Sequence, residues 1–163
     1  MIILVEGADG SGKTTLCEQL CKYTNFERLD VEQDNQQDIQ YLLAKFSNTY
    51  YVCDRSFISD LVYRLHDGKP RRGMGLREMS YICSETGVII VHCKSGTEYE
   101  DSMSRGEDNI TIKTDSDDIV AIYDKIISMF NIFSSVPVIK YNWRIDNIND
   151  VINFVKGGKT NAV

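Results

Sequence analysis

Gly7-Ala8-Asp9-Gly10-Ser11-Gly12-Lys13-Thr14 follows directly on the apolar run Ile2-Ile3-Leu4-Val5, and the reading of the whole chain turns on this stretch. It fills every position of the pattern G-x-x-x-x-G-K-[ST], in which a strand feeds a tight loop and a helix then begins with its positive end facing an anion. Gly7, Gly10 and Gly12, with Ser11 among them, let backbone N–H groups converge on phosphate oxygens. Lys13 is expected to reach the β- and γ-phosphates as a point charge. The Thr14 hydroxyl is expected to complete the shell of a Mg²⁺ ion that keeps several waters, and Thr15 closes the set of ATP-binding residues as the helix continues through Leu16 and Leu20. The stretch therefore implies a nucleoside triphosphate site.

Working outward, 163 residues suffice for one domain with a real core, and 42% hydrophobic with 26% charged residues is an ordinary globular composition. A net charge of -6 speaks against broad attraction to nucleic acid and favours a small phosphorylated partner, although a local basic patch is compatible with a polyanion. The five cysteines, Cys17, Cys21, Cys53, Cys83 and Cys93, are odd in number and form no close pair, which fits reduced, buried thiols. With no signal-like segment and no run of 18 apolar residues, the expectation is a cytoplasmic protein without a membrane partner.

Strand-like and helix-like patterns alternate along the chain. After the first helix come a short strand over 26–29, helical spacing at Ile39, Leu42, Leu43 and Phe46, and a β-prone run over 50–53. Phe57, Leu61, Val62 and Leu65 share a helix face, 67–73 reads as a loop, and Leu76, Met79, Ile82 and Cys83 mark another helix. Val88-Ile89-Ile90-Val91 reads as the fourth strand. In the polar segment 97–113, a candidate lid, Thr97 and Glu100 have capping-box spacing. A long helix striped by Ile119, Ile122, Tyr123, Ile126, Ile127 and Phe130, a fifth strand over 136–141 and a helix at Ile148, Val151, Ile152 and Val155 complete the pattern. Such alternation implies a single α/β domain over 1–157 in three layers, a five-stranded parallel sheet with helices on both faces, and a tail over 158–163.

Asp54-Arg55 stands immediately after the third strand, the edge where ligands of parallel α/β sheets bind. Arginine there grips a phosphate bidentately, and aspartate holds a Mg²⁺-bound water or orients the arginine. Glu6-Gly7-Ala8-Asp9-Gly10-Ser11-Gly12-Lys13-Thr14-Thr15 followed by Asp54-Arg55-Ser56-Phe57-Ile58-Ser59-Asp60-Leu61-Val62-Tyr63 resembles the thymidylate kinases and their P-loop nucleotide kinase relatives, in that order and at matching offsets. The resemblance implies the P-loop kinase fold and transfer of phosphate from Mg·ATP to a nucleoside monophosphate, dTMP or a related or modified pyrimidine deoxynucleotide. It implies Lys13, Asp54, Arg55 and Arg105 as catalytic residues, Asp9, Arg55, Ser59 and Tyr63 around the acceptor, and Thr14 with Asp54 at the metal. Arg105 would close over the transferring group, and Asp146 would lie near adenine. A two-fold homodimer is also implied, although the stripes around Leu61 and Ile82 suit the sheet equally.

Departures from the family keep the acceptor open. The segment after the second strand is acidic and amide-rich, with Asp30 and Glu32, and Arg64 stands where the family often has a glutamine that reads the base. The basic run Lys69, Arg71, Arg72 and Arg77 suits a monophosphate, a solvated loop, or DNA carrying a modified base. A deoxynucleoside acceptor would need a carboxylate to take a hydroxyl proton, with Asp30, Glu32 or Asp54 as candidates, whereas an ionised phosphate acceptor needs none. A nucleotide-binding module without transferase activity is the third class. Tyr141, Trp143 and Arg144 follow the fifth strand, where they suit either stacking on adenine or a plain turn. His66 and His92 have no partner at metal or triad spacing and are expected to be structural.

Overall fold

The computed structural model describes residues 1–30, 50–70, 75–106 and 113–157. Strands β1 (Ile2–Glu6), β2 (Glu27–Asp30), β3 (Tyr51–Asp54), β4 (Val88–Cys93) and β5 (Val138–Tyr141) form one sheet in the order β2-β3-β1-β4-β5. Every pairing is parallel, with Leu4 beside Cys53 on one side and Ile90 on the other. Parallel neighbours require crossovers; among the described residues β1 is joined to β2 by α1 (Lys13–Tyr23), β3 to β4 by α2 (Phe57–His66) and α3 (Leu76–Glu85), and β4 to β5 by α4 (Glu98–Ser104) and α5 (Lys113–Phe133), while α6 (Ile148–Gly157) follows β5. The five-stranded α/β architecture expected from the alternation is the one observed.

Alternate side chains of the central strands enter two separate cores, which is why these strands read as unbroken apolar runs. Ile2, Leu4 and Ile90 pack with Ile58, Val62, Tyr123, Ile127 and Phe130 under α2 and α5. Ile3, Val5, Ile89 and Val91 pack with Leu16, Leu20, Val151 and Val155 under α1 and α6. Leu61 belongs to the first core, and Ile82 is half-buried. The free cysteines are buried, apart from half-buried Cys21.

Boundaries shift at four strands: the third spans Tyr51–Asp54 rather than 50–53, and the fourth continues to Cys93. The second strand runs one residue further than the apolar pattern, to Asp30, because pairing with β3 rather than hydropathy ends it. The fifth begins at Val138, after Pro137, which has no N–H to give a ladder. Thr97 caps α4 without a side-chain hydrogen bond, so the expected capping box is not formed there. Glu98 instead turns back to accept from the N–H groups of Ser95 (2.7 Å) and Gly96 (3.2 Å), and the Thr97 hydroxyl is taken by Asp101 at 2.8 Å. The helix expected around 39–46 and part of the candidate lid, 107–112, lie outside the described residues. Among the described residues, no helix is long and apolar enough to cross a membrane.

Candidate functional site

The loop 7–12 leaves the carboxyl end of β1, the middle strand, and turns into α1 through two glycines with left-handed backbones. Gly10 (φ 79°) lies so close under α4 that a Cβ would strike the Glu98 carbonyl oxygen, and at Gly12 (φ 86°) it would come within 2.6 Å of Trp143 Cδ1. Any side chain at either position would push the loop from the segments that brace it. Ser11 Oγ is buried with no hydrogen-bond partner among the described residues. Lys13, 6% exposed, donates from Nζ to the Ala8 carbonyl at 2.6 Å and lies 4.0 Å from Asp9. Burial, reinforced by neighbouring Arg55, pulls its pKa down to about 8.

Beside the start of α1, the exposed Thr14 hydroxyl donates to Asp54 Oδ2 at 2.8 Å, and Arg28 Nη2 reaches the same oxygen at 3.2 Å. The two residues expected at a metal are therefore adjacent. Among the described residues no cluster of three His, Cys, Asp or Glu side chains is placed to hold an ion. A hydroxyl and a carboxylate at the foot of a phosphate cradle do fit Mg²⁺, a hard cation that takes one or two protein oxygens and keeps water and phosphate for the rest.

On the other side of the loop, Arg55 is the one non-glycine residue with positive φ (74°) among those described. Its N–H donates to the Val5 carbonyl at 3.1 Å, which ties the β3 edge to β1. Its guanidinium donates to Asp9 Oδ1 and, at 3.3 Å, to the Tyr63 hydroxyl, which in turn donates to Asp9 Oδ2 at 3.2 Å. Asp9, Arg55 and Tyr63, expected separately around the acceptor, thus form one closed triangle. Ser59 lies a layer lower and is buried, with Oγ 2.7 Å from Glu6 Oε2 and 2.8 Å from the Tyr123 hydroxyl.

Glu6 is fully buried beneath Arg55 and accepts hydrogen bonds from both Ser56 and Ser59. Burial raises its pKa to about 7, against the pull of the two serines. The Ser56 hydroxyl also accepts the Ile58 N–H at 3.2 Å, capping α2. Glu6 stands at the head of the phosphate-loop motif, with no function expected of it from the sequence. The available signal was an acidic residue closing a run of four apolar ones, on a strand that buries both faces.

A cavity of about 280 Å³ opens beyond α1, lined by Gly12, Leu16, Arg105, Tyr141, Trp143 and Ile148, with Thr15 and Gln19 adding polar groups. Arg105 is thus one wall of this cavity, together with Thr15, the β5 turn and the loop's last glycine. Asp146 shapes this wall by accepting the Asn142 N–H at 2.7 Å. Of the basic run, Lys69 pairs with Asp67 at 2.6 Å, Arg77 is exposed, and Arg71 and Arg72 lie outside the described residues, as does Glu32. His92 is buried against Tyr123, its rings 6.3 Å apart, and burial pulls its pKa down to about 4.

No protein-family model and no curated protein matches the sequence. The fold does have solved counterparts. The YorR protein of Bacillus subtilis, determined in complex with phosphorylated GDP, superposes with a TM-score of 0.72 at 18% identity over 96% of this chain and 94% of that one. Deoxyadenosine kinase from M. mycoides, determined with dCMP and dCDP, gives a TM-score of 0.65 at 13% identity over 98% and 100% of the two chains. A putative kinase from Chloroflexus aurantiacus gives a TM-score of 0.54 at 11% identity. The chain has the fold of P-loop kinases. At these identities the likeness establishes architecture, and function is argued from the side chains.

Proposed function

We propose that the protein transfers the terminal phosphoryl group of Mg·ATP to a (deoxy)nucleoside monophosphate, dTMP or a related or modified pyrimidine deoxynucleotide. The observation that carries this reading is the convergence of the Lys13 cradle, the Thr14–Asp54 pair and the Asp9–Arg55–Tyr63 triangle at the carboxyl edge of β1 and β3. Phosphoryl transfer asks a protein mainly to align donor and acceptor and to neutralise charge on the group in transit. Lys13 and the loop amides hold the donor phosphates, and Ser11 Oγ has hydrogen-bonding capacity to spare for them. Thr14 and Asp54 hold Mg²⁺, which when bound neutralises phosphate charge. Arg55 turns from Asp9 and Tyr63 to an acceptor phosphate, leaving Asp9 for the sugar hydroxyl. The base of the donor lies in the cavity beside Leu16, Trp143 and Ile148, where Arg105 covers it from the α4 side.

A monophosphate is favoured over a nucleoside because a sugar hydroxyl needs a base. Among the described residues, Asp54 beside the cradle is engaged by Arg28 and Thr14, and Glu6 lies under two serines. The second reading, a deoxynucleoside kinase, draws support from the superposition on deoxyadenosine kinase. ADP release from Mg·ATP, measured with deoxynucleoside monophosphates, deoxynucleosides and a DNA duplex as acceptors and Lys13→Ala as control, separates the two. Turnover with one monophosphate, lost in the variant, is expected. Turnover with nucleosides or DNA alone would reassign the acceptor.

A further inference from the structure

Arg144 has no place in the transfer chemistry, yet it joins three parts of the molecule. Its guanidinium carbon lies 4.4 Å from the centre of the Trp143 ring, the same ring that abuts Gly12 of the phosphate loop. Its Nη2 is 2.5 Å from Asp101 Oδ1, and its Nε donates to Thr97 Oγ1 at 2.9 Å. Asp101 and Thr97 belong to the first turn of α4, whose far end carries Arg105. The Asn142 side chain fixes the same junction: its Nδ2 donates to the Ser95 carbonyl at 3.2 Å, and its Oδ1 accepts from the Arg144 N–H at 3.0 Å. Trp143 and Arg105 are both walls of the 280 Å³ cavity, so this one side chain sets both walls.

We propose that Arg144 is a positioning residue for the donor nucleotide, laying Trp143 against the phosphate loop and clipping it to α4 so that the base pocket forms as one piece. The proposal rests on the reading that a nucleoside triphosphate occupies the cradle, with its base in that cavity. The clip acts on the base and not on the phosphates. A guanidinium stacked on an indole and forked to a carboxylate loses both functions on truncation, while a lysine restores the charge pairing without the planar stack.

The chain has one tryptophan, Trp143, so its emission reports on this pocket directly. Mg·ADP and inorganic tripolyphosphate are titrated against wild type, Arg144→Ala and Arg144→Lys, with thermal unfolding of each. Arg144→Ala is expected to weaken ADP binding about tenfold while tripolyphosphate binding stays within about twofold, and Arg144→Lys to recover part of the loss. In turnover, KM for ATP rises and KM for the acceptor does not. Equal weakening of both ligands alongside a lowered Tm would show a merely structural residue and overturn the proposal, as would ADP binding within twofold of wild type. If wild type binds neither ligand, the nucleotide reading itself fails and the proposal falls with it. Tight wild-type binding with an indifferent Arg144→Ala overturns the proposal alone.

Discussion

Two arginines in this molecule each face an aromatic ring and a carboxylate, and they are built in opposite ways. Arg55, with Tyr63 and Asp9, stands at a strand end in a strained left-handed backbone above a buried carboxylate and two serines. Arg144, with Trp143 and Asp101, stands half-exposed on a turn whose backbone hydrogen bonds, from the Ile145 and Asp146 N–H groups to the Asn142 carbonyl, do not involve its side chain. The first is held from beneath by the core, and the second holds its neighbours from outside. Strain retained at a position the surroundings over-determine is a mark of functional placement, whereas an exposed ion pair adds little to stability.

The sharpest way to break the contrast is to remove the buried member's charge. Arg55→Ala is expected to lower kcat/KM by about a thousandfold with the fold intact, measured by steady-state kinetics beside circular dichroism. Next in size, Glu6→Ala leaves the Ser56 and Ser59 hydroxyls without their buried acceptor and should cost about 3 kcal/mol in denaturant unfolding. Arg144→Ala has no such layer beneath it and should cost under about 1 kcal/mol in the same measurement.

Protonation sharpens the comparison further. Glu6 releases its proton near 4.5 when unfolded and near 7 when folded, so its favourable contribution is complete below pH 4.5 and is lost as pH rises to about 7. His92, a strand neighbour of Glu6, runs the other way: it is kept neutral, and its contribution is present above 6.5 and lost as pH falls towards 4. The two oppose each other across the shared window. Glu6→Gln removes one of them, so the variant's stability relative to wild type should rise by roughly 3 kcal/mol between pH 4.5 and 7, followed by urea unfolding at each pH. A flat difference curve would mean that Glu6 titrates normally.

A paired substitution at each arginine discriminates backbone from side chain. Arg55→Gly should be more stable than Arg55→Ala by about 1 kcal/mol, because glycine relieves the left-handed backbone. At position 144 the order should reverse, and the Gly variant should be the less stable of the pair. Tm values of the four proteins decide it.

Most of the frame was legible because it is written in local patterns. The phosphate loop has fixed spacing, the central strands bury both faces and so read as apolar runs, and the 119–130 stripe has helical period. What escaped depends on pairs far apart in sequence. Nothing near Arg144 points to Asp101, 43 residues away, and nothing near Glu6 points to Ser56 and Ser59. Arg28 lies beside Asp54 only because β2 and β3 are neighbours. The capping box at Thr97 failed for a related reason: the Thr97 hydroxyl has a tertiary partner in Arg144, and the Glu100 carboxylate accepts from Lys113 at 2.8 Å, so the helix start is settled by contacts that spacing does not encode.

Because β1 lies in the middle of the sheet, with every residue from Ile2 to Glu6 buried, the loop hangs from a strand that is paired on both sides. The amides of that strand should exchange with solvent only when the whole sheet opens, and a ligand gripped by the loop resists global unfolding rather than the fraying of one segment.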